Sequence, residues 1–115
     1  MKEFTVKFYL DDSEYMTALR LSCGAVCSLR GMDVDETEDF KVCVTESAIM
    51  LKNCGFEKVT AVFYAEGDTV CSVEGEGGSA REGENELSLA LISALVGECD
   101  IDRNGEVIRK VTLKV

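Results

Sequence analysis

The sequence of 115 residues has no histidine, no proline and no apolar run of the roughly 20 residues that a membrane-spanning helix needs. Histidine is the usual general base near neutral pH, so any catalysis would have to rest on a carboxylate. Without proline there is no proline-rich linker, and the length favours one domain over residues 1–115. Because the first residues have no signal-peptide pattern, we expect a cytoplasmic protein.

The charge is strongly one-sided, with 22 acidic against 12 basic residues and a formal net charge of −10. This charge repels phosphate backbones and anionic lipid, so we expect neither nucleic acid nor a membrane surface as a partner. A basic protein surface is attracted instead. One acidic run, at residues 33–39, either complements the dipole of a helix or forms a docking patch for a basic partner.

The cysteines lie mostly within apolar stretches, where a reduced thiol behaves as a small hydrophobic side chain. We therefore expect reduced core residues and not a disulfide framework. Cys23 and Cys27, four residues apart, could share a metal, but there is no Cys-x-x-Cys and no histidine to complete a zinc site. We expect no metal site. The six cysteines are Cys23, Cys27, Cys43, Cys54, Cys71 and Cys99.

Hydrophobic periodicity predicts eight elements in the order strand, helix, helix, strand, strand, helix, strand, strand. Helices are expected from Asp11 or Ser13 to Gly31, from Asp33 to Asn53 and over 86–97. Strands are expected over 3–10, 57–65 and 69–74, and on both sides of an Asn104-Gly105 turn, after which residues 107–115 alternate regularly.

Two features refine this prediction. The spacings Asp11/Glu14 and Asp33/Glu36 are those of capping boxes at two helix starts. Two hairpins favour an antiparallel sheet, so the predicted fold is an α+β two-layer sandwich whose mostly antiparallel sheet is covered on one face by three helices. The uncovered face is a candidate surface for a partner or a second subunit.

Several blocks follow one another in a recognisable order and spacing. They read Leu19-Arg20-Leu21-Ser22, Gly31-Met32-Asp33, Asp39-Phe40-Lys41-Val42-Cys43-Val44-Thr45-Glu46-Ser47-Ala48, Val73-Glu74-Gly75-Glu76-Gly77-Gly78 and Leu87-Ser88-Leu89-Ala90-Leu91-Ile92. Together they resemble the anti-sigma-factor serine kinases of the histidine-kinase-like ATPase superfamily. The resemblance spans nearly the whole chain. It implies that superfamily's fold, a homodimer, and a sigma factor or an anti-anti-sigma protein as partner.

The resemblance also implies a helix motif Glu-x-x-x-Asn, in which the Glu activates the attacking hydroxyl or water and the Asn holds magnesium. Glu46 stands at the first position, but Met50 stands at the second. A thioether does not ligate magnesium, which requires oxygen ligands. Glu46 is then either a relic general base or a polar residue at a helix–sheet boundary.

Two glycine boxes of the family complete the implied nucleotide site. The first reads Asp-x-Gly-x-Gly, with its Asp on the adenine amino group; without gaps this Asp falls on Gly75, and a one-residue slip would bring Glu74 or Glu76 there. The second is a Gly-x-Gly at a helix start facing the phosphates, where Glu86 would repel them. The nucleotide-binding positions implied are Met50, Gly75, Gly77, Gly78, Glu86 and Ser88.

These substitutions predict a degenerate ATP site and a regulatory protein that binds its partner without cofactor. One alternative is a working serine kinase that uses ATP and magnesium, with Glu46 as its base. Another is a domain of similar architecture with a scaffold role unrelated to transcription. The glycine-rich acidic loop at 74–86 is either an ATP lid or a solvated, mobile loop.

Overall fold

A computed structural model describes residues 2–115, and its helices and strands follow the predicted order. The predicted type of every element is confirmed, with ends displaced by a few residues. The elements are β1 (Glu3–Tyr9), α1 (Glu14–Leu29), α2 (Val34–Asn53), β2 (Lys58–Tyr64), β3 (Val70–Glu76), α3 (Glu86–Leu95), β4 (Glu98–Asn104) and β5 (Val107–Lys114).

The five strands form one sheet in the order β1-β2-β3-β5-β4, and every neighbouring pair is antiparallel. β2 with β3 and β4 with β5 are the two hairpins that the turn residues predicted. The helices contact the sheet and one another, with α2 in the middle between α1 and α3. The predicted α+β class, with an antiparallel sheet and three helices, is confirmed.

Helix α2 provides the largest part of the core. It contacts β2, β3 and β5 beneath it, and Phe40, Val44 and Leu51 are at most 2% exposed. Complete burial of such a side chain contributes roughly 1.5–3 kcal/mol, whereas an exposed ion pair contributes about 0–1 kcal/mol. Apolar burial under α2 therefore outweighs the ion pairs of the surface.

The outer face of the sheet has no helix over it in the described part of the chain. Its charges pair across strands, with Lys58 Nζ 4.0 Å from Glu76 Oε2 and an Arg109 nitrogen 3.8 Å from Glu74 Oε2. These groups are more than a third exposed, so each pair adds little stability. These charged side chains make the outer face polar, in contrast to the apolar face that packs against the helices.

The C-terminal hairpin departs from the regular alternation expected over residues 107–115. The register shifts between Asp102 and Arg103, so that Ile108, Val111 and Leu113 are buried while Arg109 is exposed. A bulge of this kind places two residues of one strand opposite one of its partner. The turn itself lies one residue later than predicted, because Asn104 still pairs with Val107.

Only one of the two predicted capping boxes forms. Asp33 Oδ1 accepts the Glu36 amide at 2.8 Å, and Glu36 Oε1 accepts the Asp33 amide at 3.2 Å. The Asp11/Glu14 box is wrong: the N-cap of α1 is Ser13, with φ −63° and ψ −19° and no side-chain cap bond. Since Ser13 is already helical, it lacks the extended backbone from which an N-cap side chain reaches back.

All six cysteines are free thiols, as predicted; five are buried, whereas Cys99 is only half-buried and lies at the edge of the core. Burial raises the pKa of Cys43 to about 11, and it also raises the pKa values of Cys71 and Cys99. These thiols are therefore protonated near neutral pH and act as apolar side chains. Within residues 2–115, no helix combines the length and the apolar character needed to cross a bilayer.

The two helix starts provide a matched test of the cap. Asp33→Ala removes the carboxylate that accepts the Glu36 amide but keeps the backbone amide that donates to Glu36, so we expect it to lower the free energy of unfolding by about 1 kcal/mol. Ser13→Ala removes no cap bond and is expected to change it by less than about 0.5 kcal/mol. Urea denaturation of both variants measures the difference, and equal losses would contradict the assignment.

Candidate functional site

The space between α2 and α3 is bridged by a hydrogen bond between two residues of the implied nucleotide site. Ser88 Oγ donates to Glu46 Oε2 at 2.7 Å. Ser88 is 7% exposed and Glu46 is half-buried. A hydrogen bond to a carboxylate is short and strong compared with a bond between neutral groups. The structure thus brings Glu46 and Ser88 together, in contact with each other.

The start of α3 is tied to the end of α2 by a second polar contact. Asn85 is buried, accepts Asn53 Nδ2 at 3.3 Å and places its own Nδ2 3.5 Å from Cys54 Sγ. Its side chain therefore does not cap α3. Asn53, the side-chain amide nearest in sequence to Met50, is therefore engaged in a contact with Asn85.

Met50 and Glu86 lie in opposite environments. Met50 is 0% exposed and belongs to the hydrophobic core beneath α2. Glu86 is exposed in the first turn of α3, where its carboxylate complements the positive end of the helix dipole. The position implied for magnesium is thus filled by core packing, and the helix start implied for phosphate already has a negative charge.

Gly75 lies on the helix side of β3, where its missing side chain leaves room for an aromatic ring. A Cβ atom built on Gly75 would overlap the ring of Phe56, which packs against the core. Gly75 is the position at which the resemblance implies the adenine-binding Asp. Its space belongs to Phe56, so a carboxylate there would require the ring to move.

The strand register decides the alternative alignments with Glu74 or Glu76. Successive side chains of a strand point to opposite faces, and both glutamates point away from the helices. Glu76 Oε1 accepts the Thr60 hydroxyl at 2.7 Å, and Glu74 pairs with Arg109 on the outer face. A one-residue slip therefore places a carboxylate on the wrong side of the sheet.

The glycine-rich loop after β3 is fastened to the end of α2 through its backbone. Gly77 and Gly78 have φ of 68° and 67°, which favour glycine, and Gly78 lies against the carbonyl of Gly55. The amide of Ser79 donates to Gly55 O at 3.2 Å, and that of Arg81 donates to Cys54 O at 2.7 Å. The side chains at 79–82 are exposed, but the backbone of this segment is hydrogen-bonded to the residues at the end of α2.

The implied site residues do not meet in any of five surface grooves of residues 2–115. These five cavities have volumes of 120 to 550 Å³, and none of them is lined by Met50, Gly75 or Ser88. Glu46 borders a groove of 310 Å³ between α1 and α2, whereas Glu86 borders a different one of 120 Å³. Within residues 2–115, no three His, Cys, Asp or Glu side chains could hold a metal ion together.

Comparison with models of known protein families finds no match. Comparison with curated protein sequences finds none either.

Two residues that close the site had no clear signal in the sequence. Phe56 overlaps the position of Gly75 only because β2 and β3 pair, which brings together residues far apart in the chain. Asn85 directly precedes the predicted third helix, a position at which asparagine often caps a helix. Its contact with Asn53 depends on how α3 packs against α2.

The contact between α2 and α3 can be measured by a double-mutant cycle of Glu46→Ala and Ser88→Ala. We expect a coupling of about 1–2 kcal/mol in the free energy of unfolding. Each single variant already loses this partly buried hydrogen bond to a carboxylate, so the double variant does not lose it a second time. Urea denaturation of the two single variants and the double variant gives this value.

Glu38→Ala supplies the control, since Glu38 lies on the same helix and pairs with Lys41 instead. Its cycle with Ser88→Ala should be additive within about 0.5 kcal/mol. Additive behaviour of the Glu46 cycle as well would show that the bond between α2 and α3 does not exist in solution.

Proposed function

We propose that this chain is a regulatory protein-binding module of the anti-sigma type that has the histidine-kinase-like ATPase fold and has lost ATP binding. It acts in the cytoplasm on a sigma factor or an anti-anti-sigma protein. The observation that carries the proposal is that Phe56 and the Ser88–Glu46 bond occupy the places where adenine and phosphate contacts are implied.

The order and layering of the elements support the fold part of this proposal. The resemblance implies a chain that begins strand, helix, helix and ends with a helix and a hairpin, and the described elements follow that order. Three helices lie against an antiparallel sheet, with the motif residue Glu46 on the central helix. These features are compatible with the fold of this ATPase superfamily. The resemblance of the sequence blocks is the reason for proposing this fold over others of the same layering.

The chemistry of the side chains supports binding over catalysis. The position implied for magnesium holds a buried thioether, which offers no oxygen ligand. The position implied for phosphate contact holds Glu86, whose carboxylate repels the ligand. A kinase would need both a magnesium ligand and a favourable phosphate contact at these positions. We therefore place the function on the surface of the molecule.

Two surfaces are open for partners. The helical face carries a groove between α1 and α2, and the outer face of the sheet has no helix over it. The resemblance implies a homodimer, and the outer face, with its paired charges and exposed Tyr64, is the surface that we propose for it. The groove remains for the regulated partner.

Thermal unfolding with and without millimolar ATP and magnesium tests the loss of the nucleotide site. A ligand at about 100 times its dissociation constant adds about 2.7 kcal/mol, which raises the midpoint by several degrees in a domain of this size. We expect no shift beyond that of magnesium chloride alone.

Calorimetric titration of purified sigma factors and anti-anti-sigma proteins from the source organism, one at a time, tests the partner. We expect one of them to bind with the same dissociation constant in the presence and absence of ATP. A magnesium-dependent thermal shift, with transfer of the γ-phosphate to a serine of the partner, would revive the kinase alternative. Failure of every such protein to bind would overturn the proposed partner.

A further inference from the structure

The cavities of this acidic protein differ sharply in charge. Four of them are each lined by at least two carboxylates. The fifth, a groove of 550 Å³, is lined by none of the 22 acidic residues, and its charged residues are Arg20 and Lys52. This basic groove lies on a protein whose net charge repels anions.

This basic groove lies where one face of α1 meets one face of α2. Met16, Thr17 and Arg20 recur at helical spacing along α1, and Ile49 and Lys52 do so along the end of α2. Met16 is buried and Ile49 is half-buried, so the groove has an apolar floor. An apolar floor with cations at its edge suits a ligand that is both apolar and anionic.

Both cations are free to bind such a ligand. Arg20 and Lys52 are exposed, and no carboxylate of residues 2–115 lies within 4.0 Å of either. Lys52 also complements the dipole at the end of α2, which accounts for its position but leaves its ammonium unpaired. Arg20 has no comparable structural role.

The shape of the groove favours a helix over a small molecule. It meets the groove of 310 Å³ that contains Lys41, because both are lined by Arg20 and Ile49. Two carboxylates also line that second groove, but Glu38 is paired with Lys41 and Glu46 accepts the Ser88 hydroxyl. The combined groove follows α2 from Glu38 to Asn53, a length of about 22 Å at 1.5 Å per residue. That length accommodates about four turns of a helix, and amphipathic helices bind in grooves of this kind.

We propose that the groove between α1 and α2 binds an acidic amphipathic helix of the partner protein, with the helix's carboxylates at Arg20 and Lys52 and its apolar residues over Met16 and Ile49. The inference rests on the proposed function and names the chemistry of the regulated partner. The net negative charge of this chain attracts a basic surface, whereas the groove is proposed to bind an acidic segment of the partner.

A pair of helical peptides provides the probe. Each has about 16 residues, or about 24 Å as a helix, with leucine at i, i+3, i+4 and i+7 and flanking positions that are all Glu in one peptide and all Lys in the other. Methyl spectra of Met16 and Ile49 report binding in the groove. We expect both methyls to shift with the Glu peptide and neither to shift with the Lys peptide.

Charge reversal locates the site. Arg20→Glu and Lys52→Glu should each weaken Glu-peptide binding about tenfold or more, because attraction becomes repulsion at the groove edge. Lys7→Glu changes the net charge by the same amount on the exposed outer side of β1 and should leave the affinity within about twofold. Equal effects of all three variants, or no shift of Met16 and Ile49, would overturn the inference.

The same variants separate this inference from the proposed function. If a sigma factor or anti-anti-sigma protein binds the wild type and the Arg20→Glu variant equally, the groove inference fails while the function stands. If none of those proteins binds but the Glu peptide occupies the groove, the inference holds and the proposed partner class is wrong.

Discussion

The burial of α2 between two helices and the sheet is the constraint on which the rest of the structure depends. It contacts α1, α3 and three strands, and it buries eight of its residues. Met50 is one of them, and a polar amide there would be left without a partner at a cost of about 1–3 kcal/mol. The packing that stabilises the fold therefore also excludes a magnesium ligand from that position.

Around this helix, several contacts close what would otherwise be a cleft. Ser88 bonds to Glu46, Asn85 bonds to Asn53, and the loop after β3 is held at Gly55. Phe56 then fills the space beside Gly75. Because these contacts come from several different segments, closure depends on how the helices, the loop and β3 pack together.

The elements of the fold could be predicted from sequence because their signals are local. The apolar spacing around Phe40 and Val44, the Asp33/Glu36 cap and the glycine of the last hairpin turn each act within a few residues. The bulge beside Asp102, the ring of Phe56 and the unpaired state of Arg20 all depend on which segments meet in space. Sequence reasoning identified Glu46, Gly75 and Ser88 as candidate positions, but not the neighbouring side chains that contact them.

The most direct test of the closed helical layer is a crystal structure of the protein grown with excess ATP and magnesium. The account predicts that Ser88 Oγ still donates to Glu46, that the Phe56 ring still lies against Gly75, and that no nucleotide lies between α2 and α3. A nucleotide bound between these helices, with Phe56 displaced and a metal ion near Glu46, would contradict it.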